Sequence, residues 1–358
     1  MAAPIPHEAL ARAVRSAFGP TTRLGAIEPL FGDASSRRYL RLRLTDGAAP
    51  PSAVAMLLAD DTPHFGSDEL GGAARRSVEL PFVNVARYLA RLGFAVPAIY
   101  HDASHAEGLV LLEDIGDTTL WAAAAARPGE AARLFEAAVD LLVALQVAGT
   151  RHPDPECSAF HRRFDGDLAR AELEHFVEHG IETRHGRALP AAERAAILAG
   201  LAPLAAPFET SHRVLSHRDF MAWNIHVHEG RLRLIDFQDA LLAPETFDLA
   251  QLLTDRTTST LVGPECETAL IERFRAGRQA AGLPVRDDFL AAYRQCALQH
   301  VCKVIGRFYF LEGVKGKPGY LAYLPAVYAV GRRMFDALPE LATVRARIVP
   351  HVPELAAS

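Results

Sequence analysis

"LSHRDFMAWN", residues 215–224, with "LIDFQDA", residues 234–240, is the part of the chain whose reading decides the fold. The span between them, "NIHVHEGRLRLIDF", reads as a β-hairpin turning at Glu229-Gly230, so the chain doubles back and is expected to bring Asn224 close to Asp236. Two hard oxygen ligands at the mouth of a hairpin suit Mg²⁺, which takes one or two protein oxygens and completes its shell with water and phosphate. Asp219, one short loop away, is placed to accept a proton from a substrate hydroxyl. A carboxylate base beside an Mg²⁺ pair is the layout of phosphoryl transfer. The H-R-D-x-x-x-x-N spacing is matched by His217, Arg218, Asp219 and Asn224, with an Asp-Phe pair following at Asp236-Phe237. Taken singly, each residue also fits a helix-capping Asp or a turn Asn. It is all of them in this order that points to chemistry.

Upstream of this stretch the chain is strand-rich. A helix is expected over residues 7–18, where Leu10, Ala13, Val14, Ala17 and Phe18 share one face and Gly19-Pro20 ends it. The alternating run Tyr39 to Leu44 reads as a strand, entered through the turn-rich "FGDASS", and "SAVAMLLA" as a third, buried strand. Pro81 starts a helix with Phe82, Val85, Ala86, Leu89 and Leu92 on one face. "AVPAIYHD" and "GLVLLEDIG" are two further strands. From about residue 116 helical patterns take over, interrupted over 214–237 and resuming from 246. The sequence therefore predicts an α+β, two-lobed chain, a small β-rich lobe over 1–114 and a larger α-rich lobe over 115–358 hinged at "LLEDIGD", which the family resemblance described below makes the nucleotide-binding lobe and the catalytic and acceptor-binding lobe.

The chain has 358 residues, half of them hydrophobic, and a net charge of −5, so neither its charge nor its pattern points to nucleic acid. No apolar run reaches the length of a membrane span, and the N-terminus lacks the basic start and apolar block of a secretory signal. Four scattered cysteines, none in a C-x-x-C pair, fit a reducing cytoplasm. No obligate protein partner is indicated.

Four stretches carry a family resemblance: "GDASSRRYLRL", "LLEDIGDTTL", "SHRDFMAWNIHV…LIDFQDALLAPETFDLAQLL" and "KVIGRFYFLEGVKGKPGYLAYLP". Through them the sequence resembles the aminoglycoside-phosphotransferase branch of the protein-kinase-like fold, and more narrowly the bacterial anomeric N-acetylmuramate/N-acetylglucosamine kinases of cell-wall recycling. The resemblance implies an ATP- and Mg²⁺-dependent kinase acting on a sugar hydroxyl, with Asp219 as catalytic base and Asn224 and Asp236 as Mg²⁺ ligands. It implies that "GDASSRRY" covers the nucleotide through Gly32, Ser35 and Ser36, and that Glu113 offers adenine a backbone carbonyl. It gives Asp248 a part in bracing the catalytic loop. His217 reads as a structural support of that loop. Trp223 packs beneath the loop or faces the acceptor. Glu172, on a helix that walls the acceptor pocket in this fold, is a candidate for sugar hydroxyls, against the plain reading of a solvent-facing Glu.

The sequence departs from the wider kinase pattern in one respect. The third strand carries Met56 where a phosphate-pairing Lys is usual, and the first Lys of the chain is Lys303. Arg37 and Arg38 are the nearest cations that could replace it, and Arg suits phosphate through its forked donors. Because strand side chains alternate, only one of the two can face the nucleotide, and regular strand placement favours Arg38 by a small margin. Two other readings stay open: a phosphotransferase for aminoglycosides or another hydroxyl metabolite, and a nucleotide-binding pseudokinase, which the missing Lys supports and the intact Asp219, Asn224 and Asp236 oppose.

Overall fold

A computed structural model describes residues 5–30, 37–47, 49–58 and 79–357. Gly32, Ser35 and Ser36 of the expected nucleotide-covering turn lie outside the described residues. The chain divides into two compact units: residues 1–117 with 228–239, and residues 118–227 with 240–358.

The first unit is built on a five-stranded sheet of order β1-β2-β3-β5-β4, made of β1 (Arg23–Leu30), β2 (Arg38–Thr45), β3 (Ser52–Leu57), β4 (Ile99–Ala103) and β5 (Leu109–Glu113), with every pairing antiparallel. Helix α1 (His7–Phe18) covers one face. Its Leu10, Ala13 and Val14, spaced for one helical side, close a core with Leu40, Leu42 and Leu44 of β2, Ala53, Ala55 and Leu57 of β3, and Leu109 and Leu111 of β5. Each fully buried leucine there contributes about 1.5–3 kcal/mol relative to exposure. The opposite pleat of β2 carries Tyr39, Arg41 and Arg43.

Between β3 and β5 the chain forms α2 (Pro81–Arg91), which starts on proline as the sequence predicts and buries Phe82, Val83, Val85, Ala86 and Leu89. A helical turn, α3 (Ser104–Glu107), joins β4 to β5.

The stretch 228–239 belongs to this unit through three specific contacts. Leu234 N donates to Ala95 O at 2.9 Å, Arg233 Nη1 meets Glu113 Oε1 at 2.6 Å, and Phe237 stacks on Phe82 with centroids 5.0 Å apart. The unit is therefore discontinuous in sequence, where hydrophobic and charge patterning had drawn one cut after residue 114. The reason is that these contacts tie in a late segment that no local pattern marks.

The second unit is mainly helical: α4 (Leu120–Ala126), α5 (Ala131–Arg151), α6 (Gly166–His175), α7 (Ala191–Leu201), α8 (Ala206–Thr210), α9 (Phe247–Thr254), α10 (Pro264–Ala280), α11 (Phe289–Tyr309), α12 (Leu324–Asp336) and α13 (Ala342–Ile348). Helix α11 is buried along most of its length and packs against α6, α9 and α12. Gly306 permits its close approach to α6: a Cβ there would lie 2.8 Å from Phe176 Cα. Helices α6 and α11 run on into π-helical segments, Phe176–Thr183 and Phe310–Val314.

Strands β6 (Arg213–Ser216) and β9 (Leu241–Pro244) pair antiparallel. Strands β7 (Ile225–His228) and β8 (Arg231–Leu234) form a two-stranded sheet. Their two-residue loop is the expected Glu229-Gly230, with φ of 50° and 73°. Positive φ at both central residues is the type I′ geometry that matches strand twist. Among the described residues no helix is long and apolar enough to cross a membrane, and Cys157, Cys266, Cys296 and Cys302 are free thiols.

Candidate active site

In the second unit, β6 delivers the chain into the loop 217–224, and α9 holds that loop from one side. Asp248, completely buried, accepts hydrogen bonds from Ser216 Oγ at 2.8 Å, His217 N at 2.8 Å and Arg218 N at 3.1 Å. Gln251, one helical turn on, accepts from Phe220 N at 3.3 Å. The i, i+3 spacing of Asp248 and Gln251 puts both acceptors on one face of α9. Burial pushes the Asp248 carboxyl up to about 7, against the pull of its three donors. His217 is 2% exposed, with its ring edge-on to Phe220.

This clamp grips a strained residue. Arg218 has φ of 73°, although it is not glycine. Among the described residues the other non-glycine positions with positive φ are Asp46, Glu229 and Asp236. Asp46 and Glu229 each precede a glycine at a bend or turn. Arg218 and Asp236 do not; they flank or form the candidate catalytic positions. Backbone strain of this kind costs of order 1–3 kcal/mol and persists only where neighbours enforce it.

Beyond Arg218 the loop closes on itself. Met221 N and the Asn224 side chain both donate to Asp219 O at 2.9 Å, and Asn224 N donates to Met221 O at 2.9 Å. Asn224 thus turns its Nδ2 toward the loop backbone, and its Oδ1 is the hard oxygen it can offer a cation. The loop brings Asp219 and Asn224 together, as their spacing predicts. Trp223 stacks on Trp121 at 4.5 Å and donates Nε1–H to Thr257 Oγ1 at 3.1 Å, so it is a packed part of the loop.

In the first unit Asp236 has φ of 62°, and its Oδ1 accepts from Gln238 Nε2 at 2.8 Å. Tyr39 is the residue that relates it to β2. Burial raises the Tyr39 hydroxyl, the Arg37 guanidinium that hydrogen-bonds it opposes this, and the Asp236 charge adds to it. Arg37 and Asp236 therefore share the surroundings of Tyr39. Arg38 starts the pleat that continues as buried Leu40 and Leu42. Arg37 thus lies on the Tyr39 side of β2, opposite the pleat of Arg38. Met56, at the usual Lys position, is fully buried and pairs with Tyr39 in the sheet. Glu113 is fixed by its side chain: Oε2 accepts from Ala98 N at 3.1 Å.

Glu172 does not face solvent. It is 6% exposed, 3.0 Å from Lys303 Nζ through Oε1, and accepts from Gln299 Nε2 at 2.7 Å through Oε2. Its carboxylate is engaged within the helical core, which removes the reason for offering it to sugar hydroxyls.

Sequence reasoning also missed Arg41, which forks onto Asp114 at 2.7 and 3.0 Å and Asp117 at 2.8 and 2.9 Å at the start of the expected hinge. The only available signal was three charges in an otherwise apolar strand and its exit. Gln251 could have been found as the i+3 partner of Asp248.

The model of the phosphotransferase enzyme family matches residues 26–289, most of the chain. An N-acetylmuramate/N-acetylglucosamine kinase of Caulobacter vibrioides is 32% identical, covering 95% of this chain and 96% of its own. One of Pseudomonas aeruginosa is 33% identical, covering 88% and 85%. Among solved structures, an amicoumacin kinase in complex with AMP-PNP and Ca²⁺ superposes with a TM-score of 0.58 at 15% identity, covering 94% of this chain and 95% of its own. An ADP-bound aminoglycoside phosphotransferase gives 0.55 at 14%, covering 92% and 98%. These superpositions establish the protein-kinase-like two-lobe fold expected from the sequence. Family match, full-length relatives and fold agree: the chain belongs to the phosphotransferase enzyme family.

Proposed function

We propose that this enzyme is an ATP-dependent amino-sugar kinase that phosphorylates the anomeric hydroxyl of N-acetylmuramate and N-acetylglucosamine, in the reducing cytoplasm. The observation that carries the reading is the Asp248–Gln251 clamp on a strained loop, which supports a fixed carboxylate at Asp219 in a chain a third identical to kinases of these sugars. Asp219 takes the proton from the acceptor hydroxyl as the sugar oxygen bonds to the γ-phosphorus. The bond from that phosphorus to the β–γ bridging oxygen breaks, ADP leaves, and Asp219 returns its proton to solvent.

For Mg²⁺, Asn224 of the second unit and Asp236 of the first each offer a hard oxygen, and each side chain is oriented by a hydrogen bond of its own. When bound, the ion neutralises charge on the phosphate oxygens. Arg37 supplies a cation for the phosphates in a first unit that has no Lys.

The test is ADP release by purified enzyme over a panel of N-acetylmuramate, N-acetylglucosamine, their 1-O-methyl glycosides, and aminoglycosides. Release with the free sugars and none with the 1-O-methyl forms is expected. Turnover of aminoglycosides alone, or of none of the acceptors, defeats the proposal.

A further inference from the structure

Among the described residues one group of metal-ligating side chains converges: His175, Glu178 and His179, whose ligand atoms all lie within 4.8 Å of one another. The three stand at i, i+3 and i+4, the spacing that brings side chains onto one helical face. They sit where α6 runs into the π-helical segment Phe176–Thr183. Its 8 residues are long for a form that mostly appears as single turns, frequently at functional sites. The phosphoryl transfer derived above uses none of them.

Two hydrogen bonds fix which nitrogen of His179 faces the group. Thr183 Oγ1 donates to Glu178 O at 3.1 Å and lies 3.0 Å from His179 Nδ1. A hydroxyl has one proton and a carbonyl only accepts, so both bonds are made only when Nδ1–H donates to Thr183. In the neutral ring the lone pair is then on Nε2, and Nε2 stands 3.7 Å from Glu178 Oε1. That is longer than an ordinary N–H···O bond. It is near the spacing of two ligands on one tetrahedral ion, roughly 3.3–3.4 Å for bonds of about 2.0–2.1 Å.

An imidazole that binds a metal through one nitrogen is oriented by a hydrogen bond from the other, and Thr183 supplies that bond here. Phe310 steadies both rings, its centroid 5.4 Å from that of His175 and 4.9 Å from that of His179. Two imidazole nitrogens and one carboxylate oxygen suit Zn²⁺, with the fourth position left to water. His179 is buried, while the Glu178 side chain is 60% exposed and opens the group to solvent, which gives an ion its way in.

We propose that His175, Glu178 and His179 bind a divalent transition-metal ion, Zn²⁺, which staples the end of α6 to the π-helical segment that follows it.

The experiment titrates Zn²⁺ into untagged, chelator-stripped enzyme by calorimetry in excess Mg²⁺, which occupies hard-oxygen sites. Wild type should take up one Zn²⁺ per chain and gain in Tm as it does so. Co²⁺ in its place should give the visible absorption of a tetrahedral site. Glu178→Gln and His179→Gln each remove a ligand and should weaken Zn²⁺ binding by more than about 10-fold. Thr183→Val keeps all three ligands and removes only the bond that orients His179, and should weaken binding by about 10- to 100-fold. Should the buried His179→Gln fail to fold, Glu178→Gln decides, because it alters an exposed side chain. Zn²⁺ affinity unchanged in Glu178→Gln puts the ion elsewhere, on a thiol for instance, and overturns the proposal, as does wild type that takes up no Zn²⁺.

Discussion

At the scale of single residues, the loop 217–224 separates chemistry from support. In the proposed reaction Asp219 takes the acceptor proton, while Asp248 and Gln251 hold the loop in place. Asp219→Asn is expected to lower kcat by ~10²–10⁴-fold, the usual cost of losing a general base. Nucleotide affinity should stay near wild type, because the variant keeps the backbone carbonyl that Met221 and Asn224 bond. Steady-state kinetics beside equilibrium nucleotide titration checks both halves; near-wild-type turnover would remove Asp219 from the reaction. The two arginines give a second contrast. Arg37→Ala should weaken ATP binding by about 1.5–3 kcal/mol and Arg38→Ala by much less, since Arg37 is the one that bonds Tyr39 beside Asp236. Equal effects in calorimetry would show that the alternation does not select between them. The closed loop from Asp219 to Asn224 was legible in the sequence, because its spacing is itself the signal. The contacts of Arg256 with the rings of Trp223, Phe308 and Tyr323 were not legible, because these residues meet only after the helices have packed.

At the scale of elements, period and punctuation placed α1, β2, β3, α2 and the Glu229-Gly230 hairpin, each of which combines a strong repeat with a stop signal. The π-helical continuations of α6 and α11 left no such mark, since an extra residue per turn is imposed by packing and not by composition. Gly306 sits at that packing, and its hydrogen is the only side chain the α6–α11 crossing admits without movement. Gly306→Ala should lower stability by about 1–3 kcal/mol through overpacking, in spite of alanine's better helix propensity. Denaturant unfolding reads this directly, and a stabilised variant would mean that the crossing can relax.

For the whole molecule, two buried groups set opposing responses to acid. Asp248 has its carboxyl raised to about 7. His300, whose ring nitrogens have no hydrogen-bond partner, has its imidazole lowered to about 3, by burial first and by the Lys303 charge second. A raised carboxyl holds a proton that the unfolded chain releases, so its contribution is full below the ordinary carboxylate value and is lost as pH climbs to about 7. His300 stays neutral while an unfolded imidazole protonates, so its contribution is present above the ordinary imidazole value and is lost as pH falls toward about 3. Between about pH 4.5 and 6.5 the two slopes, each about 1.4 kcal/mol per pH unit, oppose one another. Stability should rise with pH in Asp248→Asn, fall with pH in His300→Gln, and vary least in wild type. Parallel curves from urea unfolding at several pH values would refute this.

The first unit takes its last contacts from residues 228–239, more than a hundred positions after the rest of its chain. During synthesis this has a consequence. The sheet and α1 leave the ribosome early, yet Phe82 waits for Phe237, Glu113 for Arg233 and the Ala95 carbonyl for Leu234 N. At ~5–20 residues per second the delay between residues 117 and 239 is roughly 6–24 s. Through that interval the nascent chain shows the apolar flank of α2 to whatever chaperone attends it, and the enzyme's vulnerability to aggregation is concentrated in the middle of its translation.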